Sequence, residues 1–336
     1  MLLPARRTWN RERSRNEQNH VSTEHTSDTD VLPDPEVVEV SEGIFAYIQH
    51  DGSWCLNNPA FVDVGDQVIA IDACANERRT RLFREAIERI ATNPVRTLVN
   101  THAHMDHTYG NCLFSDDAVI IGHRNCRDQI LREAPGQLER VSVMFPAVEW
   151  GDVTPVAPNV VFDDAMTLYA GDLELELIYV SPAHTNTDVV VWIPDRQVLI
   201  AGDIVFNQGT PFALMGSVAG WRSALERLKE LPIKSVIPGH GPVSDASVLD
   251  EVDAYLEFVQ DSAKAAYDGG VDPLSAARDL DLGRFGVWTD TERIVGNLHR
   301  AYSELRGEEL GAEIDMQTAF GQMLEFNGGQ PLRCLA

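Results

Sequence analysis

Three histidines and one aspartate occupy four of six consecutive positions, directly after the apolar segment 97–100: His102, His104, Asp106 and His107. Neutral imidazole and carboxylate are the ligands that a cation such as zinc prefers, and four of them at the end of a strand can serve two metals. Because side chains alternate along an extended segment, His102 and His104 point to the same side. Asp106 and His107 then lie on the turn beyond the strand, where they face a second site. The cluster therefore predicts metal binding, since packing gives no reason to gather these residue types in a surface turn.

The motif His-x-His-x-Asp-His-x-x-Gly at residues 102–110 resembles the signature of the metallo-β-lactamase superfamily. This resemblance implies three further metal ligands, each at the end of a later strand, in the order His, Asp, His. The sequence provides His184, Asp203 and His240 at such positions. The resemblance extends over residues 36–245 and is complete at all the ligand positions.

The resemblance also implies how the ligands divide between two metal ions. One ion would be held by three histidines and the other by an aspartate and two histidines, with one aspartate bridging: His102, His104 and His184; Asp106, His107 and His240; and Asp203. Two nearby cations repel each other unless negative charge lies between them, and a carboxylate with a bridging hydroxide provides that charge. We expect two zinc ions, with iron or manganese as alternatives.

Asp106 is the predicted catalytic residue, because its free oxygen would hydrogen-bond the bridging hydroxide and later pass a proton to the leaving group. In the superfamily an acid at the position of Asp72 supports the metal-binding turn, so we expect Asp72 to orient the ligands. The usual sequel to that acid is replaced by Ala73 and Cys74, and Cys74 is expected to be an inert buried thiol. His123 lies between a predicted strand and a predicted helix and is expected to be structural.

The complete set of histidines and aspartates narrows the expected chemistry. Diiron flavoproteins of the superfamily carry Glu at the position of His104, and one branch of β-lactamases carries Cys at the position of Asp203. The set here is more similar to that of the glyoxalase II, lactonase and thioesterase branches. This similarity implies a hydrolase that cleaves an ester, thioester, lactone or amide bond of a small molecule. Two alternatives remain open, namely a mononuclear iron sulfur-dioxygenase of the same fold and a non-catalytic binding scaffold.

The composition excludes some classes of partner. The 336 residues carry a formal net charge of −25, and only three of the 27 basic residues are lysines. Such a charge repels phosphate backbones, because nucleic-acid binding depends on Lys and Arg that neutralise phosphates. No segment has the length of a membrane span or the features of a secretory signal, and the five cysteines show no CxxC spacing. We therefore expect a cytoplasmic protein with a small-molecule substrate and no nucleic-acid or membrane partner.

Strands and helices recur in two similar halves, without a change of composition between them. Four strands are predicted between residues 37 and 71, followed by a helix over 82–90. The second half has a strand over 173–180, two strands between 189 and 200, and a helix before the strand that ends at His240. This pattern predicts an α/β fold of two sheets packed face to face with helices outside, which is the four-layer αββα sandwich that the resemblance also implies.

Three regions are predicted along the chain. Residues 1–33 are polar and poor in aromatic residues, so they are predicted to be a disordered leader. Residues 34–245 form the predicted catalytic domain, and residues 246–336 a helical C-terminal extension. Three apolar stripes in this extension need a surface to bury against, which is the sandwich, the pocket or another subunit of a homo-oligomer.

Two features are candidates for the walls of a pocket. The segment 135–158 contains Met144, Phe145 and Trp150 without a regular period, so we expect either a lid over the metals or a surface loop with anchoring aromatic residues. Four further apolar residues are expected in loops around the metals, where they would face an apolar part of the substrate or join the core: Trp54, Phe206, Phe212 and Met215.

Overall fold

Residues 32–63, 65 and 67–336 are described by a computed structural model, and the elements given below lie in these ranges. The predicted leader, residues 1–33, lies outside them except for its last two residues, so it stays a prediction. The residues from Leu32 to Ala336 form one compact unit, which includes the C-terminal helices.

The first sheet has seven strands, whose spatial order follows the chain. They are β1 (Glu36–Ser41), β2 (Ile44–Ile48), β3 (Ala60–Asp63), β4 (Val68–Ile71), β5 (Val95–Val99), β6 (Val119–His123) and β7 (Val160–Phe162). The strands from β1 to β4 pair antiparallel, whereas those from β4 to β7 pair parallel. The carboxyl ends of the parallel strands therefore meet at one edge, where the following loops can bring side chains together.

The second sheet has five strands in the order β12-β11-β10-β9-β8. They are β8 (Ala165–Ala170), β9 (Leu173–Tyr179), β10 (Val189–Ile193), β11 (Val198–Phe206) and β12 (Ser235–His240). Neighbours from β8 to β11 pair antiparallel, and β12 joins β11 in parallel. Both β10 and β11 are buried along their whole length, which explains their continuous apolar sequences. The edge strands β7 and β8 were not predicted, because one is very short and the other is half exposed.

Helices cover the outer faces of both sheets, which confirms the predicted αββα sandwich. The helices are α1 (Glu77–Ile90), α2 (Met105–Thr108), α3 (Arg124–Glu133), α4 (Gln137–Met144), α5 (Val218–Leu228), α6 (Val248–Asp268), α7 (Pro273–Asp279), α8 (Arg293–Leu305) and α9 (Met316–Phe326). Both sheets contribute to the core between them, with Val99 from the first sheet and Ile200 from the second. On the outer faces, α1 packs through Phe83 on the first sheet and α5 packs through Leu225 on the second.

Helix α1 begins five residues before the predicted helix. The Asn76 side chain accepts a hydrogen bond from the Arg79 backbone N–H and so caps the helix, while Thr80, Phe83 and Ile87 form part of its buried face. A polar first turn is typical of a capped helix, and apolar spacing alone does not reveal it.

The C-terminal helices bury their apolar stripes within the same chain. Val252 and Leu256 of α6 and Ile294 and Leu298 of α8 are fully buried in one core cluster. This burial confirms a helical C-terminal region, whereas the contact in a homo-oligomer stays a prediction. Among the described helices, none is long and apolar enough to cross a membrane.

The segment 135–158 was predicted without regular structure, and this is wrong for its first part. Helix α4 begins after Gly136, whose φ of +70° turns the chain out of the preceding helix. Leu138, Val141 and Met144 are half-buried and pack on the core. Eight residues carry too few apolar positions for a period to be recognised, and a helix of that length depends on packing for its stability.

Candidate metal centre

Four of the predicted ligands follow the parallel strand β5 of the first sheet. His102 and His104 lie after this strand, with their ring centroids 4.7 Å apart. The chain bends over residues 101–103, so the expected extended segment is wrong there. The backbone of His104 is extended, with φ −64° and ψ 150°, and the short helix α2 starts at the next residue. Asp106 and His107 are therefore carried on that helical turn, as the spacing predicted.

The other three predicted ligands come from the second sheet. His184 lies on the loop between β9 and β10, and His240 is the last residue of β12. The predicted strand end is wrong for Asp203, because β11 continues beyond it to Phe206. Because β11 and β12 are parallel neighbours, with Phe206 paired to His240, both strands present their ligands at the same edge of the sheet.

The structure brings the seven residues together in two groups. In each group the candidate ligand atoms lie within 4.8 Å of one another: His102, His104, His184 and Asp203 in the first, and Asp106, His107 and His240 in the second. The groups match the division that the resemblance implied, although metal binding itself stays a prediction.

Asp203 lies between the two groups. Its Oδ2 atom is 3.3 Å from His184 Nε2 in the first group and 3.4 Å from His240 Nε2 in the second, and its Oδ1 atom is 3.1 Å from His107 Nε2. Ligands bonded at about 2.0–2.1 Å to a tetrahedral zinc ion stand roughly 3.3–3.4 Å apart. The observed separations are therefore those of a preformed ligand set, and one carboxylate contacts both parts of it.

Four of the histidine rings are held at Nδ1 by neighbouring groups. These contacts are His102 to Thr101 Oγ1 (3.0 Å), His107 to Asp72 Oδ2 (2.7 Å), His184 to the Phe212 carbonyl (2.5 Å) and His240 to the Gly52 carbonyl (3.1 Å). Metal-binding histidines are commonly held in this way, because the contact leaves Nε2 free for the ion. Among the described residues, the buried Nε2 atom of His102 has no hydrogen-bond partner, and that of His107 lies 3.1 Å from Asp203 Oδ1 without the alignment of a hydrogen bond. A divalent cation would satisfy these nitrogen atoms, so the residues fit a metal.

The fifth histidine, His104, is turned the other way. Its Nδ1 atom lies 2.9 Å from Nε2 of His184, so these two nitrogen atoms face the same point. Burial lowers the pKa of His104 to about 4 and that of His184 to about 3. Both rings are therefore neutral at neutral pH, which is the form that binds a metal.

The second group has a different electrostatic balance. Burial disfavours the charged form of His240, but the carboxylates of Asp203 and Asp106 outweigh burial and raise its pKa to about 9. Burial would raise the pKa of Asp106, yet the charges of His107 and His240 lower it to about 2. The carboxylates of this group thus hold protons on the imidazoles, and a cation would displace those protons. The Asp106 side chain is 12% exposed and that of Asp203 only 4%, so Asp106 is the more accessible of the two carboxylates.

Asp72 supports the metal-binding turn in the expected way. Its carboxylate accepts hydrogen bonds from the backbone N–H and the hydroxyl of Thr101, at 2.7 and 2.6 Å, besides the contact with His107. Asp72 has a φ of +61°, an unusual conformation for a residue with a side chain. Such backbone strain is found mainly where surrounding contacts enforce it.

Gly239 is required by the close approach of β12 to Asp203. A Cβ atom at position 239 would collide with the Asp203 carboxylate and the backbone of Gly202. Any side chain there would push β11 and β12 apart at the ligand, so the glycine before His240 is part of the site.

The aromatic residues expected around the metals lie next to the ligand loops. All four apolar residues are buried or half-buried: Trp54, Phe206, Phe212 and Met215. The expectation of a loop position is wrong for Phe206, which ends β11 and stacks on His240 with centroids 5.0 Å apart. Trp54 packs against Phe145 and Phe212, with ring centroids 5.8 and 5.3 Å away. Phe145, Phe206 and Phe212 are buried in the core, whereas Trp54 and Met215 are partly exposed. The alternative that these residues join the core therefore holds for Phe206 and Phe212.

Two residues near the motif have structural roles, as expected. His123 stacks on Tyr179 at 3.7 Å, and its Nδ1 atom accepts a hydrogen bond from the Asn125 backbone N–H and caps α3. Cys74 is fully buried, and burial raises the pKa of its thiol far above the ordinary value. Neither side chain belongs to the two ligand groups.

The sequence did not reveal the groups that hold His184 and His240. Both are backbone carbonyl oxygens, of Phe212 and Gly52, and a carbonyl leaves no mark in the residue type. For Gly52 the sequence offered one signal, the glycine itself, because a glycine can mark a positive φ or a close backbone approach. In the structure Gly52 has both, with a φ of +75° and the backbone of Gly241 against it.

Comparison with known proteins agrees with this geometry. The family model of the metallo-beta-lactamase superfamily matches residues 52–240. A metallo-beta-lactamase type 2 from Bacillus cereus is 24% identical over 200 residues, which cover 57% of this chain and 70% of the relative. An acyl-coenzyme A thioesterase from Homo sapiens is 27% identical over 173 residues, which cover 47% of this chain and 60% of the relative. A solved metallo-beta-lactamase from Pontibacter korlensis shares the fold, with a TM-score of 0.56 and 21% identity over 67% of this chain and 99% of that chain.

Proposed function

This chain belongs to the metallo-β-lactamase superfamily, and we propose that it is a metal-dependent hydrolase that cleaves an ester, thioester, lactone or amide bond of a small molecule. The observation that carries this proposal is the position of Asp203, within 3.4 Å of an imidazole Nε2 atom in each ligand group. A shared carboxylate between two nitrogen-rich groups fits a pair of divalent ions. A binding scaffold would have no use for this arrangement.

Zinc is the metal that we propose, because imidazole nitrogen and carboxylate oxygen at tetrahedral separations suit it best. Iron and manganese accept the same donor types and are the alternatives. The two ions would be held by the two groups described above, with Asp203 shared: His102, His104 and His184 for one, and Asp106, His107 and His240 for the other.

Bound divalent ions supply a water-derived nucleophile at neutral pH and polarise the carbonyl group of the substrate. The residues of the chain then have separate tasks. The ionised carboxylate of Asp106, the more accessible of the two in the site, accepts a proton from the attacking water and passes it to the leaving group. Asp72, Gly52 and Phe212 keep the imidazoles in the tautomer that leaves Nε2 free.

The substrate is proposed to carry an apolar part, because the partly exposed ring of Trp54 lies beside the loops that hold the ligands, packed on the buried rings of Phe145 and Phe212. The similarity to an acyl-coenzyme A thioesterase and to metallo-β-lactamases makes thioesters and β-lactams the first substrates to test.

The test is an activity profile of the full chain purified without chelator, measured both as purified and after loading with zinc. Thioesters, lactones, β-lactams and phosphodiesters are offered, and bound metal is measured by elemental analysis. We expect about two equivalents of metal and hydrolysis of at least one acyl substrate, both lost on chelation. One equivalent of iron with oxygen consumption would instead support the sulfur-dioxygenase. A fully loaded protein that hydrolyses nothing in the panel would contradict the proposal.

A further inference from the structure

The loop between β11 and α5, residues 207–217, orients His184, one of the predicted metal ligands, through a hydrogen bond. The Phe212 carbonyl in this loop accepts the hydrogen bond from His184 Nδ1 and so sets the direction of the ring. Apart from a single bridge at Gly209, the loop has no strand or helix of its own. Other contacts must therefore keep the Phe212 carbonyl in place.

Helix α8 of the C-terminal region supplies such contacts on both sides of Phe212. The Asn297 side chain accepts a hydrogen bond from the Ala213 backbone N–H at 2.7 Å and donates one to the Pro211 carbonyl at 2.8 Å. The Asn297 amide is thus hydrogen-bonded to the backbone of both residues that flank Phe212. A shift of this peptide segment would break both bonds at once.

Two arginines of the same helix extend this contact along the loop. Arg293 donates to the Thr210 carbonyl at 2.9 Å, and Arg300 donates to the Leu214 carbonyl at 2.8 Å. Spacings of four and three residues place Arg293, Asn297 and Arg300 on one face of the helix. These three side chains form a polar face of α8, which is hydrogen-bonded to the loop backbone between Thr210 and Leu214.

Packing alone does not explain a polar face at this position. Arg293, Asn297 and Arg300 are only 2%, 0% and 1% exposed. Burial of polar groups costs free energy unless they are hydrogen-bonded, and apolar side chains would fill the same space without that cost. The face is therefore best explained by the loop backbone that it holds.

The start of α8 also contacts the loop that holds His240. The guanidinium group of Arg293 lies 4.1 Å from the ring centroid of Trp54, and Glu292 accepts a hydrogen bond from Trp54 Nε1 at 2.7 Å. Two residues before Trp54, the Gly52 carbonyl accepts from His240 Nδ1. One helix therefore fixes loops that orient a histidine in each ligand group.

We propose that the polar face of α8, and not the packing of the helix as a whole, positions the metal centre, and that Asn297 is the positioning residue for His184. Asn297 acts through the Phe212 carbonyl and does not itself contact the ligands. The inference rests on the metal site of the proposed function but does not depend on the substrate. Outer contacts of metal-binding histidines change metal affinity by about 10–100-fold when they are lost.

The test compares Asn297→Leu, which removes both bonds to the loop at similar volume, with the control Leu298→Ala. Leu298 is a fully buried apolar residue of the same helix, so the control loosens α8 without touching the polar face. Co²⁺ affinity of the full chain is measured by competition with a chromophoric chelator, together with the visible spectrum of the bound Co²⁺ and the melting temperature. We expect Asn297→Leu to bind Co²⁺ about 10–100-fold more weakly and with an altered spectrum. The control should lose melting temperature only.

A folded Asn297→Leu variant with wild-type affinity and spectrum would overturn the inference. An equal loss in Leu298→Ala would do the same, because it would show that any loosening of α8 is sufficient. If Asn297→Leu does not fold, Arg300→Met, which removes the bond to the Leu214 carbonyl, decides by the same two readouts. A wild-type chain that binds Co²⁺ but hydrolyses nothing would remove only the proposed function. A wild-type chain that binds no Co²⁺ would remove both.

Discussion

The substitution Asp72→Asn should disable one metal ligand without touching it. The amide keeps an oxygen for the Thr101 backbone N–H but turns its NH₂ group towards His107 Nδ1, which the carboxylate holds at 2.7 Å. His107 then accepts at Nδ1 and carries its proton on Nε2, the atom that faces Asp203. A protonated ring nitrogen cannot bind a metal.

The size of the expected loss in metal affinity follows from one hydrogen bond, the bond between His107 Nδ1 and Asp72. To bind the ion, His107 must move its proton to Nδ1, where the variant offers an amide N–H in place of the Asp72 carboxylate. A hydrogen bond to a charged group, worth about 1.5–3 kcal/mol, is therefore missing relative to the wild type. Since 1.4 kcal/mol corresponds to a factor of ten in affinity, the ion held by His107 should bind about 10–100-fold more weakly. The assay is a zinc titration of the full chain against a competing chelator, which resolves the two binding steps.

The control for Asp72→Asn is Asp253→Asn. This substitution removes the same negative charge at a residue outside the ligand groups, where Asp253 forms ion pairs with Arg222 and Lys229. We expect both zinc steps of the control to match the wild type. If the Asp72 variant also kept both steps, the hydrogen bond from His107 would not determine the tautomer, and the reasoning would be wrong.

Three further predictions concern the ligands themselves. Asp203→Ala should lose most bound metal and activity, whereas His123→Ala should keep both, because only Asp203 contacts both groups; elemental analysis and turnover of the two variants decide this. Asp106→Asn should lower turnover by a factor on the order of 10² while some metal is retained, since the amide cannot carry a proton; near-normal turnover with a poor leaving group would exclude that role. Zinc uptake at pH 7 should release protons from the second group. The carboxylates of Asp203 and Asp106 outweigh burial and hold the pKa of His240 at about 9, so this ring is protonated at pH 7. Burial holds the pKa of His184 in the first group at about 3, so that ring has no proton to release. Burial opposes the charged form of His107 as well, but the carboxylates of Asp203, Asp72 and Asp106 raise its pKa well above the ordinary value. The affinity of the second group should therefore rise with pH through about 9, while that of the first stays level above about pH 4. Calorimetry in buffers of different ionisation enthalpy counts the released protons.

The ligand set could be predicted from the sequence because the residue type alone identifies imidazole and carboxylate donors. Imidazoles and carboxylates at His102, Asp106 and Asp203 have few other reasons to be buried within or just after apolar strands, and the sandwich follows from alternating strands and helices. The role of α8 could not be predicted in the same way. Its apolar stripe was recognised, but Asn297 and Arg300 on another face are of the type that ordinarily faces water. Only the position of the loop shows that this face is buried too.

The dependence of the ligand loops on α8 has a consequence for the order in which the centre matures on the ribosome. All the predicted ligands precede residue 241, but the helix that steadies two of them ends at Leu305. At about 5–20 residues per second, roughly 3–13 s separate the synthesis of His240 from that of Leu305. During this interval the nascent chain offers a full set of donors without their final geometry. Because cells discriminate between similar divalent ions by geometry more than by raw affinity, the choice of metal should be made only after α8 has docked.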